Sequence, residues 1–167
     1  AFLRALGAAY RASGRDRPVM DMLSLHPYGE DSSVPPSLQH PRSTSIGIAD
    51  YGKLVGLLGE AFDGTAQAGS TLPIVWGEYG VETTVDANPA PYTGVEPATV
   101  RPVEPMLQAA RYADAIRLAA CQQTVAMLLL FHVSDEPQLD RLQSGVYWAD
   151  DTPKPGLATA ETWLRRG

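Results

Sequence analysis

The chain has 167 residues, 44% of them hydrophobic and 19% charged, enough to bury a sizeable core as one domain or part of a larger one, and too apolar for a disordered segment. Thirteen Lys and Arg against nineteen Asp and Glu give a net charge of -6 and a pI near 4.9, which excludes the basic face of a nucleic-acid binder. A single cysteine, Cys121, excludes an internal disulfide framework and leaves the compartment unassigned, and no apolar run approaches the roughly 20 residues that span a bilayer, so no membrane partner is expected. The chain starts without an initiator Met or a basic-then-apolar leader, so the start of the gene product is expected to lie elsewhere.

From Ala1 to Ser13, Phe2, Leu3, Leu6, Ala9 and Tyr10 recur at helical spacing, and Gly14 marks a stop. Val19 to Leu25 reads as a short strand running into His26-Pro27-Tyr28-Gly29. Residues 30–47, rich in Ser and Pro, form a long loop. Asp50 is placed to N-cap a second helix with Tyr51, Leu54, Val55, Leu58 and Phe62 on its apolar face, ended by Gly64 and Gly69. A second strand, Leu72 to Tyr79, leads into the proline-rich loop 83–104. Pro105 suits the first position of a third helix that reaches about Gln123. Val125 to Val133 is almost continuously apolar, as in a parallel strand covered on both faces. A last helix is expected from Leu157 to Arg165.

The order α-β-α-β-α-β-α predicts a parallel sheet. Short connections before strands and long ones after them are the asymmetry of a (β/α)₈ barrel, whose sites lie at the C-terminal ends of the strands. Three strands make only part of such a barrel.

Each strand ends in polar or aromatic residues: His26 and Tyr28, then Glu78 and Tyr79, then Phe131, His132, Ser134, Asp135 and Glu136. Strict alternation puts Glu78 on one face with Trp76 and Ile74, and His26 and Tyr28 with Ser24. If those faces point into a barrel, His26, Tyr28 and Glu78 meet at its mouth. A carboxylate steadied and kept ionised by a tyrosine hydroxyl is the equipment of a glycosyl nucleophile. On the same reading Trp76 fills the barrel interior, and Tyr79 and Trp148 are packing or rim residues. Asp135-Glu136 and Asp150-Asp151 are solvated loop charges, and Cys121 is a small buried apolar residue. Glu78 has a second reading as a structural carboxylate beside a buried Arg, and His26 as a core histidine. No calcium, zinc or phosphate-loop spacing is present, so no metal or organic cofactor is expected.

Ile74-Val-Trp-Gly-Glu-Tyr-Gly80 resembles the seventh-strand signature of clan A glycoside hydrolases, an apolar strand ending in Glu-aromatic-Gly. His26-Pro27-Tyr28 resembles the His-x-Tyr at the end of strand six in family 5, the cellulase-like group. Gly145 to Pro155 is similar to the segment between strand eight and the last helix. The resemblance implies an α/β fold, the C-terminal portion of a (β/α)₈ TIM barrel from helix five to helix eight. Residues 1–167 would then be part of one glycosidase domain whose N-terminal part lies outside this chain. It implies Glu78 as the nucleophile of a retaining glycosidase, with His26 and Tyr28 lining the sugar subsite. Phe131, with His132 beside it, stands where the clan places a Trp sugar platform. The clan's acid/base belongs to an Asn-Glu pair on strand four, and this chain has none. The implied partners are therefore a carbohydrate substrate and the N-terminal barrel portion, in the same or a separate chain, and the isolated segment is expected to be inactive. A rival from another class is a non-catalytic glycan-binding or scaffold half-barrel. A phosphate-binding barrel isomerase fits less well, because Pro153-Lys-Pro155 lacks the glycines of a phosphate-binding helix start.

Overall fold

The computed structural model describes residues 2–165. Helix α1 (Phe2–Ala12) is followed by β1 (Leu23–Leu25), a single 3₁₀ turn (Ile48–Asp50), α2 (Tyr51–Phe62), β2 (Ile74–Tyr79), α3 (Pro105–Ala120), β3 (Val125–Leu130) and α4 (Pro155–Leu164). The three strands form one sheet in the order β1-β2-β3, all parallel, with α2 and α3 as crossovers. This is the α/β alternation expected of βα units. No helix among the described residues is long and apolar enough to cross a membrane.

The strands are shorter than expected, each for a hydrogen-bonding reason. The amides of Val19 and Met20 donate to the side-chain carbonyl of Gln67 at 2.8 and 3.0 Å, so the first ladder contact waits for Leu23. Pro73 has no N–H, and β2 opens at Ile74, whose amide donates to the carbonyl of Thr124. At the other end the Phe131 amide donates to the Tyr79 carbonyl at 2.9 Å, and the ladder stops there rather than at Val133. Helix α4 starts two residues early, with Pro155 in its first turn.

Asp50 is no simple N-cap. Its carboxylate makes no capping bond to α2 but accepts from the amides of His40 and Gly47 at 2.7 and 2.9 Å and lies 2.7 Å from the His40 ring. Lys53 adds three bonds, to the carbonyls of His40, Ser43 and Ser45. Together they clasp the end of loop 30–47 to the start of α2. Burial pushes the Asp50 carboxyl up, but those donors outweigh it and hold the group below the usual carboxylate range. A depressed carboxylate adds stability above its unfolded value of about 3.9 and loses it as pH falls through the folded value. Asp50→Asn is therefore expected to lower stability at pH 7 and to flatten its decline between about pH 4 and pH 2, read by urea melts across that range. An acid limb identical to the parent's would show that the clasp adds nothing.

The main core lies between the sheet and α1 and α2. Leu54, Leu58 and Phe62 of α2 and Tyr10 of α1 close on Ile74 and Trp76 of β2, all buried. Each large side chain sealed in this way contributes about 1.5–3 kcal/mol. The Trp76 indole N–H donates to the side chain of Gln122 at 2.8 Å, which passes the bond on to the Ile48 carbonyl at 2.7 Å. This overturns the expectation that Ile74 and Trp76 face a barrel interior: they face the helices. The opposite face carries Met127 and Leu129, 48% and 49% exposed, so β3 is covered by this chain on one face only. A second core joins Tyr79 and Val81 to Tyr112 and Ala115 of α3, with Ile48, Val103 and Val146. Cys121, expected to be buried, is exposed in the turn that ends α3.

Candidate active site

Glu78 reaches the open side of the sheet through an irregularity in the ladder. Register runs Ile74 to Val125, Val75 to Met127, Trp76 to Leu128 and Tyr79 to Leu130. One extra residue on β3 is offset by one extra residue on β2 between Trp76 and Tyr79. Past that bulge the alternation inverts. Tyr79 turns to the helices, edge-on to Tyr112 with centroids 6.2 Å apart, while Glu78 stays half-buried at the sheet end. Strict alternation thus joined Glu78 to the wrong neighbours.

Two glycines make room around it. A Cβ on Gly77 would collide with the Ser24 hydroxyl and press the His26 ring at 3.4 Å. One on Gly80 would collide with the Phe131 carbonyl and lie 2.9 Å from the Ser144 hydroxyl. The chains from β1, β2 and β3 can close together here only because neither position carries a side chain.

His26 and Tyr28 both converge on one carboxylate oxygen. The Tyr28 hydroxyl donates to Glu78 Oε2 at 3.3 Å, and His26 Nδ1 lies 3.2 Å from the same atom. With its proton on Nδ1, His26 is a second donor. Oε1 has neither partner, so one oxygen is held and the other is available. Burial, then the charge of Glu78 and the hydrogen bond to it, push the Tyr28 phenol well above its ordinary range, so it stays a donor.

Beside Glu78 opens a cavity of about 410 Å³, lined by Tyr28, Glu30, Asp31, Ser32, Glu82 and Ser144 among others. Glu82 belongs to this wall and was missed in the sequence. The signal was there: Glu78, Gly80 and Glu82 share the cavity at a period of two, while Val81 and Thr83 between and after them are buried. Glu82 Oε2 accepts the Gln143 amide at 3.3 Å, and burial raises its carboxyl above the ordinary value.

Phe131 and His132 stand at the end of β3 with their rings 3.7 Å apart and tilted 39°. They border β2 through the Phe131 backbone but do not line this cavity. Asp135, expected to be a solvated loop charge, is fully buried. It pairs with an equally buried Lys154 at 2.7 Å and also accepts from Tyr92 at 2.6 Å and the Gly145 amide at 2.8 Å. Lys154 donates further to Thr83 and the Gln143 carbonyl and sits 4.7 Å from the centre of a Trp148 ring, itself buried. This knot ties the β3–α4 loop to the segment carrying Glu82. Asp150 is the surface charge expected, paired with Asn88 and Thr152. Among the described residues no group of His, Cys, Asp and Glu is arranged to hold a metal ion.

No family model matches the sequence, and no curated protein does. Among solved structures the chain is similar to a β-glucuronidase of Faecalibacterium prausnitzii, with TM-score 0.53 and 16% identity over 89% of this chain and 22% of that one. A Lactobacillus rhamnosus β-glucuronidase gives 0.51 and 16% over 87% and 22%. The β-D-glucuronidase of Dictyoglomus thermophilum gives 0.50 and 13% over 88% and 23%. The chain therefore spans less than a quarter of the length of the proteins it matches. At these identities the likeness is one of fold. Three parallel strands with their helices form a portion of a (β/α)₈ barrel of the kind found in glycoside hydrolases. The likeness does not single out family 5.

Proposed function

We propose that residues 1–167 form the C-terminal portion of a (β/α)₈ retaining glycosidase that cleaves a β-linked glycan or glycoside, with Glu78 as nucleophile. The observation that carries the reading is the convergence of His26 and Tyr28 on Glu78 Oε2 at the C-terminal end of a parallel strand. In a double displacement, Oε1 of Glu78 attacks the anomeric carbon, the glycosidic bond breaks, and a second carboxyl group protonates the departing oxygen. The same group then takes a proton from water, which displaces Glu78 and restores both carboxyls. That second group lies about 5–5.5 Å from the nucleophile in retaining enzymes. It belongs, on this reading, to the N-terminal barrel portion, in the same or a separate chain. That portion would cover the open face at Met127 and Leu129 and the apolar groove of about 480 Å³ along β3. Phe131 and His132 would bind the sugar from the end of β3.

The test is trapping. The protein completed by the rest of the barrel is incubated with an activated 2-deoxy-2-fluoro β-glycoside and digested. The label is expected on the peptide carrying Glu78. A label elsewhere would overturn the assignment, and glycan binding with no label at all would establish the non-catalytic reading.

A further inference from the structure

We propose that Ser144 is a positioning residue: its hydroxyl sets the aim of the Phe131–His132 ring pair at the end of β3, and it is itself held in place by Tyr112 and Gln108 of α3. This rests on the glycosidase reading above, in which those rings bind the sugar. Ser144 is buried and lines the cavity beside Glu78. Its hydroxyl donates to the Phe131 carbonyl, while the Phe131 amide donates to the Tyr79 carbonyl at 2.9 Å. Phe131 is thus tied on one side to β2 and on the other to the β3–α4 loop. Two residues on, the Val133 carbonyl accepts from the amides of Val146 and Tyr147 at 2.9 and 3.0 Å. A backbone held this closely leaves the two rings, 3.7 Å apart, little freedom beyond their own side-chain torsions. Ser144 is held in turn. Its carbonyl accepts from the Tyr112 hydroxyl at 2.5 Å, and that hydroxyl accepts from the Val81 amide at 3.3 Å. The Gln108 side-chain amide donates to the carbonyls of Val81 at 2.8 Å and Gly145 at 3.2 Å. Gln108 and Tyr112, one turn apart and both fully buried, therefore each bridge the chain leaving β2 to residues 144 and 145.

Without the Ser144 hydroxyl, the Phe131 carbonyl loses its donor. An unpaired buried carbonyl costs more than the bond itself is worth, so the peptide turns toward another donor or water, and the rings turn with it. A ring that packs on a sugar touches it alike in the ground state and the transition state. Loosening the ring therefore weakens binding and spares the chemical step, which reads as a raised KM at nearly constant kcat. The two partners of Glu78, His26 and Tyr28, come from the end of β1 and lie outside this network.

The experiment uses the protein completed by the rest of the barrel, with aryl β-glucoside, β-galactoside and β-glucuronide as substrates and the fastest of the three carried forward. Ser144→Ala is expected to raise KM about 10-fold and to keep kcat within about 3-fold, with urea melts showing that it is folded. In a Phe131→Ala background the same change should add less than about 2-fold, because the ring it aims is already gone. Tyr112→Phe, which removes the bond to the Ser144 carbonyl, should raise KM by about 3-fold. A full second factor on top of Phe131→Ala, or a loss that falls on kcat, overturns the inference and leaves the hydrolase reading standing. A Phe131→Ala variant with the parent's KM does the same. So does a fall in stability with both constants unchanged, the mark of an ordinary structural hydroxyl. An unchanged KM in Tyr112→Phe overturns the part given to α3. Sugar lactams bound without turnover overturn the hydrolase reading, and the same cycle in Kd by calorimetry then decides the inference by the same margins. A parent that binds no sugar overturns both.

Discussion

In the protein completed by the rest of the barrel, replacing Glu78 with alanine is expected to lower kcat/KM on an activated aryl β-glycoside by about 10⁵-fold, the scale seen when a covalent nucleophile is deleted. Azide should restore part of the rate. It would enter the space left by the carboxylate, attack the anomeric carbon once, and release an α-glycosyl azide, because one displacement inverts where two retain. The variant should fold. The Glu78 side chain is about a third exposed, and its two partners, His26 and Tyr28, sit with it at the sheet end rather than in either core. Tyr28→Phe should be milder, losing about 1.5–3 kcal/mol for one hydrogen bond to an ionised group, or roughly 10- to 150-fold in rate. Product analysis by NMR together with the rates decides the matter. More than a hundredth of the parent activity in Glu78→Ala, without azide, would assign the chemistry to another group.

The second large effect concerns folding. Lys154→Met is expected to cost about 3–5 kcal/mol, because it leaves the Asp135 carboxylate buried without its cation. Burial raises the Asp135 pKa and lowers that of Lys154, and the attraction between the two opposes both shifts. The pair is thus strained toward neutrality by its surroundings, and what it adds is the avoidance of a lone charge. Asp135→Asn in the Lys154→Met background should recover 1 kcal/mol or more, since the amide oxygen still accepts from Gly145 or Tyr92 without carrying charge. Urea melts of the parent, both single variants and the double variant give the coupling. A Lys154→Met loss below about 1 kcal/mol would show that Asp135 is reached by water when the lysine is gone.

What could be read from the sequence follows from the range of the forces involved. The helices were legible because apolar spacing and Pro105 are local signals, and α2 occupies the expected residues Tyr51–Phe62. The strand ends were overextended, because a strand stops where its partner stops and the Gln67 side chain is not visible from within the apolar run; Pro73, inside the expected second strand, was a local stop signal left unused. The meeting of His26, Tyr28 and Glu78 was anticipated, but through an alternation that the bulge inverts. Trp76, placed in a barrel interior by that rule, lies under the helices. Asp135 looked like a loop charge, since the burial that pairs it with Lys154 depends on residues as distant as Thr83 and Tyr92. Loops 30–47 and 83–104 carried no periodic signal, and their anchors are single side chains, Asp50 and Lys53 for the first and Asn88 and Tyr92 for the second.

The paired offsets in the β2–β3 ladder bear on how this segment tolerates insertion, deletion and transplantation. The surplus residue on β2 is matched by one on β3 within the same few positions, so the ladder returns to register by Tyr79 and Leu130. Removing Gly77 would take out the surplus residue on β2, and plain alternation would then keep Trp76 and Tyr79 toward the helices and Glu78 on the open face, whereas adding one residue there would turn one of the two inside out. A graft of Gly77–Gly80 into another scaffold would likewise have to carry the compensating stretch Val125–Met127 with it. The smallest transferable unit is two strands wide, and a motif search confined to one strand sees half of it.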